Sequence, residues 1–291
     1  VTDDITAVPA GTYQLTITDA KNCVLVVNSQ ITQPADIVLS ATTQDINCFG
    51  ESTGWIDLSA VGGVQPYAYS WDSGEITQDL SNLPSGVYQV HVVDSNQCQD
   101  SLTITLTQPA APLQLTATAT NISCFDGNNG SIDVTISGGS TPYLFVWSNA
   151  VSTEDQQGLY FGTYQVNITD NKGCTISGAY TLTQPAQALG TQLTMTEPLC
   201  YGDSNGTATV VASGGTPLYT YSWNNGQTTP TITGLPIGTY VVEVTDTNGC
   251  TIQDTIDVTQ PTQLTVNADS TWVSCWGLSD GGVQSTVQGG V

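Results

Sequence analysis

The sequence predicts an all-β chain, a tandem array of small β-sandwich repeats of about 76 residues each. Three observations predict it: a period of 75 to 76 residues, period-two alternation within each period, and turn signals between the alternating runs with no stretch of helical period.

Several residue types carry the period at once. Thr-Gln-Pro recurs at Gln33-Pro34, Gln108-Pro109, Gln184-Pro185 and Gln260-Pro261, and a Gly-x-Tyr signal ends at Tyr13, Tyr88, Tyr164 and Tyr240. The eight cysteines form two series with the same step, Cys23, Cys98, Cys174, Cys250 and Cys48, Cys124, Cys200, Cys275, and Trp71, Trp147 and Trp223 keep step with them. Three complete repeats are expected at residues 35–109, 110–185 and 186–261, flanked by the C-terminal part of one repeat at 1–34 and the N-terminal part of another at 262–291. The Gln-Pro sites are the expected linkers, because proline favours an extended approach and cannot extend a central strand.

Alternation places the strands. Tyr164, Val166 and Ile168 fall on one side of a run whose other side is Gln165, Asn167 and Thr169, and Tyr88, Val90 and Val92 repeat the pattern. A second run turns Ile132, Val134 and Ile136 inward, and a third sets Tyr219, Tyr221 and Trp223 on one face. Gly138-Gly139, Gly214-Gly215 and the Asp246 to Gly249 segment punctuate these runs as turns. Leu235-Pro-Ile-Gly-Thr-Tyr240 resembles the turn into the sixth strand of immunoglobulin-like and fibronectin-like sandwiches, where a tyrosine hydroxyl pins the corner. Tyr13, Tyr88, Tyr164 and Tyr240 are the expected corner residues, Trp71, Trp147 and Trp223 the expected core tryptophans, and the architecture a seven-strand-like Greek-key sandwich.

Composition excludes several function classes. Against 25 acidic residues stand only Lys21 and Lys172, a formal net charge of −23, so the chain lacks the cations that neutralise phosphate or an anionic membrane surface. No run reaches the roughly 18 apolar residues of a membrane span, and Val1 is preceded by no leader, so a soluble piece of something longer is expected. Charged residues are 9% of the chain, which leaves Thr, Ser, Asn and Gln to cover most of the surface. His91 is the single histidine, at a position occupied elsewhere by Thr16, Asn167 and Glu243, so no catalytic set repeats and no enzyme is expected.

A core of about 76 residues calls for a supplement, and all eight cysteines are expected in structural disulfides rather than zinc sites. Three pairings stay open. Pairing within a repeat joins Cys48 to Cys98, Cys124 to Cys174 and Cys200 to Cys250; pairing across a junction joins Cys48 to Cys174 and Cys124 to Cys250 and leaves Cys23, Cys98, Cys200 and Cys275 to partners beyond these residues or unpaired; adjacent pairing joins Cys98 to Cys124. The first faces an obstacle, because the two loops of one sandwich lie about 25–35 Å apart for strands of this length, whereas a disulfide needs Cα atoms within about 7 Å.

Three further candidates remain. Asp19, Asp94, Asp170 and Asp246, with Asp126, Asp203 or Glu51 from a neighbouring repeat, are candidate calcium ligands, against the plainer reading of tight-turn chemistry. The stripes Tyr67/Tyr69/Trp71, Tyr143/Phe145/Trp147 and Tyr219/Tyr221/Trp223 read as core rather than a sugar platform, and Trp55, Trp272 and Trp276 are the better contact residues. Asp100-Ser-Leu and Asp254-Thr-Ile resemble a short bacterial O-glycosylation acceptor.

The run from Cys200-Tyr-Gly202 through Gly214-Gly215, Tyr219 to Trp223, Leu235 to Asp246 and Gly249-Cys250 to Gln260-Pro261 resembles the SprB repeat, and the similarity extends over essentially the whole chain. Departures are Asp126 ahead of Gly127, Gln97 before Cys98, and Ser-Asn-Ala after Trp147. The resemblance implies a giant cell-surface adhesin of the Bacteroidota, exported by type IX secretion, some of whose kind serve gliding. On it the chain is expected to be a structural stalk segment whose partners are its own neighbouring repeats, with surface polysaccharide or other filament chains beyond them. The alternative is a set of carbohydrate- or partner-binding modules acting by avidity.

Overall fold

The computed structural model describes residues 4–290, and every regular element among them is a strand. A hairpin comes first, β1 (Gly11–Thr18) and β2 (Val24–Ile31). Six strands follow: β3 (Val38–Gln44), β4 (Gly54–Val61), β5 (Ala68–Trp71), β6 (Leu80–Leu83), β7 (Gly86–Val93) and β8 (Gln99–Leu106). The same six recur as β9 (Gln114–Thr120), β10 (Gly130–Ser137), β11 (Leu144–Trp147), β12 (Gln156–Leu159), β13 (Gly162–Thr169) and β14 (Thr175–Leu182). They recur again as β15 (Gly190–Thr196), β16 (Gly206–Ser213), β17 (Thr220–Trp223), β18 (Thr231–Leu235), β19 (Gly238–Thr245) and β20 (Thr251–Val258), before a last hairpin, β21 (Thr262–Thr271) and β22 (Gly282–Gly290).

Each set of six divides into two three-stranded antiparallel sheets, β3-β4-β6 with β5-β7-β8, and the same orders one and two repeats on. The chain is thus a tandem array of immunoglobulin-like sandwiches, with six strands apiece where the sequence suggested a seven-strand plan. The reason is length: only eight residues separate Trp71 from Leu80, and they close a turn.

Two compact units divide the chain, and the middle set of strands contributes to both. One comprises the residues through Gln114 with Ile136–Leu144 and Ile168–Ile176; the other comprises Leu115–Thr135, Phe145–Asn167 and the residues from Ser177 on. In the first, the inward positions of both sheets make one core of Ile46, Ile56, Leu58, Trp71, Leu80, Leu83, Val90, Val92, Ile104 and Leu106. In the second, Ala208, Val210, Trp223, Ile232, Leu235, Tyr240, Val242, Val244 and Val258 do the same. Burying a residue of this kind contributes about 1.5–3 kcal/mol, so the alternation read from the sequence is what holds each sandwich closed.

The middle repeat departs from its neighbours at one inward pair. Where β8 has Leu102 and Ile104, β14 has Gly178 and Tyr180, and a Cβ on Gly178 would meet the Tyr180 hydroxyl at 2.6 Å. The tyrosine ring therefore occupies the volume a side chain at 178 would take.

The three sequence departures keep the backbone of the residues they replace. Asp126 has φ +55° where Gly50 and Gly202 have +79° and +82°; Gln97 has +66° where Gly173 and Gly249 have +88° and +81°; Ala150 has +64° where Gly74 and Gly226 have +99° and +86°. Left-handed backbone costs a residue with a Cβ about 1–2 kcal/mol, and the surrounding turn supplies it.

Candidate functional site

Residues singled out by the sequence gather in two loops that meet where one repeat joins the next. In the first unit the β3–β4 loop carries Cys48 and the β13–β14 turn carries Cys174, and the two are bonded with Cα atoms 5.7 Å apart. In the second, Cys124 of the β9–β10 loop and Cys250 of the β19–β20 turn are bonded, again with Cα atoms 5.7 Å apart. Of the three open pairings, the one across the junction is present. Cys23, Cys98, Cys200 and Cys275 are free and exposed, the four that the pairing across the junction leaves without a mate among these residues. Both bridges span 126 residues. The same step forward from Cys200 or Cys275 passes residue 291, and the step back from Cys23 or Cys98 falls before residue 1.

An aspartate builds the turn that presents the second cysteine. Asp170 Oδ1 accepts from the N–H groups of Lys172 at 2.9 Å and Cys174 at 2.8 Å, while Oδ2 accepts from Ser140 N–H at 2.8 Å in the Gly-Gly loop. Asp246 does this for Asn248, Cys250 and Thr216, and Asp94 for Asn96, Cys98 and Val64. All three carboxylates are buried. Burial pushes the Asp94 carboxyl up, but its bonds from the Val64, Cys98 and Asn96 N–H groups outweigh this and hold it below its ordinary value. These oxygens, the candidate calcium ligands, are engaged as backbone acceptors. Asp126 and Glu51 are exposed and Asp203 is half-buried. Among the described residues no group of three or more His, Cys, Asp or Glu side chains is placed to hold a metal ion.

The Gly-Gly loop fits the linker through backbone alone. Gly63 N–H donates to Ala35 O at 2.8 Å, Gly139 N–H to Ala111 O at 3.0 Å and Gly215 N–H to Gln187 O at 2.9 Å. A Cβ on the preceding Gly62, Gly138 or Gly214 would lie 1.9 Å from a linker carbonyl oxygen, so no side chain fits. Tyr143 and Tyr219 each donate a hydroxyl to the carbonyl of that glycine, at 2.6 and 2.7 Å, and Tyr67 does so as well.

Sequence reasoning missed the linker glutamine, reading Gln-Pro as a spacer. Gln108 Oε1 accepts from Gly50 N–H at 2.8 Å, Gln184 Oε1 from Asp126 N–H at 2.8 Å, and Gln260 Oε1 from Gly202 N–H at 3.0 Å. The side chain thereby fixes the loop that holds the first cysteine of the same repeat. Its signal lay in the period itself, since proline alone would not require one amide side chain at every linker.

The two joints differ in charge. At the first, Asp45 is held below its ordinary value by the N–H and hydroxyl of Thr107 above all, with Lys172 adding its positive charge. At the second, those positions are Asn121 and Asn248, and Asn248 Nδ2 donates to Ser123 O at 3.0 Å, across the junction.

The remaining candidates are placed as follows. Tyr13, Tyr88, Tyr164 and Tyr240 donate their hydroxyls to the carbonyls of Pro9, Pro84, Tyr160 and Pro236 at 2.6, 2.8, 3.1 and 3.1 Å. Trp71, Trp147 and Trp223 are buried, and each indole N–H reaches a backbone carbonyl, of Thr77, Thr153 and Thr229. Trp55 lies on an outer face with its N–H on Gln44 Oε1 at 2.8 Å, and Trp272 and Trp276 are exposed. His91 is on an outer face, its Nε2 3.6 Å from Asp72 Oδ1.

The SprB repeat model matches residues 40–75, 116–152 and 193–228. No curated protein matches the chain. Among solved structures, the tetra-tandem repeat in the extending region of a large adhesion protein is 16% identical, with a TM-score of 0.28 over 88% of this chain and 84% of that one. The first two immunoglobulin domains of Dpr2, in complex with DIP-Theta, are 12% identical, with a TM-score of 0.31 over 78% of this chain and 100% of that one. The N-terminal eight immunoglobulin domains of Down Syndrome Cell Adhesion Molecule are 11% identical, with a TM-score of 0.30 over 96% of this chain and 55% of that one.

Proposed function

This chain carries three SprB repeats, and on that premise we propose that it is a stalk segment of a giant secreted surface adhesin, spacing an adhesive tip from the cell during gliding or attachment. It is an adhesin-like repeat region, and the observation that carries the finer reading is the disulfide across each joint. Cys48–Cys174 and Cys124–Cys250 bind a repeat to its neighbour and spend no cysteine on closing a repeat upon itself. Such bonds resist bending and pulling between repeats, which is what a spacer needs. In this reading the repeats run over 35–109, 110–185 and 186–261. Disulfides fit an oxidising, extracellular setting, export belongs to type IX secretion, and the work is mechanical rather than enzymatic. Small-angle scattering of the oxidised chain tests the stalk. A radius of gyration well above the roughly 19 Å of a globule of this length is expected, and a value near it overturns the reading.

The second reading, binding modules acting by avidity, is favoured by one recurrence. An aromatic follows each of Cys48, Cys124, Cys200 and Cys275, and Phe49, Phe125, Tyr201 and Trp276 are all exposed. Surface polysaccharide and other filament chains are the partners it implies. Glycan binding that disappears when these four are changed to alanine would establish it.

A further inference from the structure

Because each bridge spans 126 residues while the repeat is 75 to 76, consecutive bridges overlap. Cys124 lies inside the loop closed by Cys48–Cys174, and Cys174 lies inside the loop closed by Cys124–Cys250. With both disulfides intact, Cys48 and Cys174 form one node, Cys124 and Cys250 form another, and three stretches of backbone join the nodes in parallel: 49–123, 125–173 and 175–249. A chain that folds in series is thus wired, between Cys48 and Cys250, as a ladder.

We propose that this overlap is a fail-safe against breakage, so that no one or two backbone cleavages between Cys48 and Cys250 part the two ends of the array. Separation takes three cuts, one in each stretch. The inference goes beyond the stalk reading, because it follows from connectivity whatever the array carries or binds. The other two pairings lack the property. Bridges closed within repeats would leave each linker as a single point of failure, and a bridge between Cys98 and Cys124 would protect only the residues between them.

The wiring also limits extension. Once every repeat is pulled open, the stretch from Cys124 to Cys174, 50 residues long, halts the separation of the two nodes at about 170 Å, at roughly 3.4 Å per residue. After reduction the 202 residues from Cys48 to Cys250 span about 690 Å on the same scale.

The test places one recognition sequence for a site-specific protease in each of three equivalent exposed turns, Asp72-Ser73-Gly74, Ser148-Asn149-Ala150 and Asn224-Asn225-Gly226. Each turn lies in a different stretch. Chains with one, two or all three sites are cut under oxidising conditions, alkylated to block exchange, and run denatured without reductant. One-site and two-site chains are expected to migrate at full mass, and the three-site chain as two species. One species holds the pieces with Cys48 and Cys174, the other those with Cys124 and Cys250. Reductant should release two, three and four fragments respectively. A one-site chain that separates without reductant overturns the proposal, and so does a three-site chain that stays whole, which is the signature of bridges closed within repeats. In a Cys48→Ser, Cys174→Ser chain, the site at Asp72-Ser73-Gly74 alone should part the ends, and persistence at full mass would likewise refute the wiring.

Discussion

The hairpins β1–β2 and β7–β8 are one design in two settings. Both pair eight residues with eight in the same register, Gly11 with Ile31 through Thr18 with Val24 in one, and Gly86 with Leu106 through Val93 with Gln99 in the other. Both carry the tyrosine corner and the aspartate turn. Yet Val90 and Val92 are 0% exposed while the matching Leu15 and Ile17 are 50% and 49% exposed. The sheet β3-β4-β6 lies over the first pair, and β1–β2 forms a two-stranded sheet of its own. Register, corner and turn are the same in both, and the second sheet supplies the burial of the inward positions. Four pairs of substitutions set a covered site against the open hairpin.

The largest difference is expected in the core. Trp71→Ala should cost its repeat about 3–5 kcal/mol, whereas Ile17→Ala in the open hairpin should stay within about 0.5 kcal/mol, both measured by urea unfolding followed by circular dichroism. Equal costs would mean that β1–β2 is covered in solution. Next come the cysteines of two equivalent turns, one bridged and one free. Cys174→Ser should lower stability by about 2–4 kcal/mol, and Cys23→Ser should leave the unfolding midpoint in place.

The aspartates sharpen the comparison through pH. Asp94 is held below its ordinary value, burial raising it and the N–H bonds from Val64, Cys98 and Asn96 more than offsetting that. A depressed carboxyl contributes stability that is complete above the ordinary carboxylate range and is lost as pH falls through the folded value. The gap in unfolding midpoint between the natural chain and Asp94→Asn should therefore be full at neutral pH and close as the solution is acidified below about pH 4. Asp19 is also lowered, by the Cys23 and Lys21 N–H groups, and among the described residues it accepts no bond like the one from Val64 to Asp94. Asp19→Asn should show the smaller gap, and a larger one would place the main effect in the turn instead of its tie to the Gly-Gly loop.

The smallest effect lies in the left-handed position of that turn. Gln97→Gly should stabilise its repeat by about 1 kcal/mol. Asn22→Gly, at the matching φ of +63°, should do less, because asparagine tolerates this backbone. Thermal melts would register the first as a rise of a few degrees and the second as little change.

Much of this fold was legible because its signals repeat. Val166 and Ile168 declare a buried face, Tyr88 and Tyr240 a corner, and Gly138-Gly139 a turn, each from short-range chemistry that a single strand or loop decides. The joint was less legible because its determinants act at long range. The partner of Cys48 depends on how a whole repeat meets the next. The role of Gln108 depends on a loop 58 residues earlier. Asp170 looks like either a calcium ligand or a turn residue until its N–H partners are known. The strand count erred where the sequence carries no alternating run, in the eight residues after Trp71.

The separation of 126 residues between bonded cysteines has a bearing on how the protein is made. A ribosome adding residues from the N-terminus produces Cys48, then Cys98, and only after a further repeat the correct mate, Cys174. Throughout that interval Cys98 is the nearer thiol downstream. What keeps Cys48 from capturing it is the sandwich already closed between them, whose eight-residue strands hold the two loops about 26 Å apart at ~3.3 Å per residue. Each repeat must therefore close before its cysteines meet an oxidising setting, so that the distant mate and not the nearer thiol is captured.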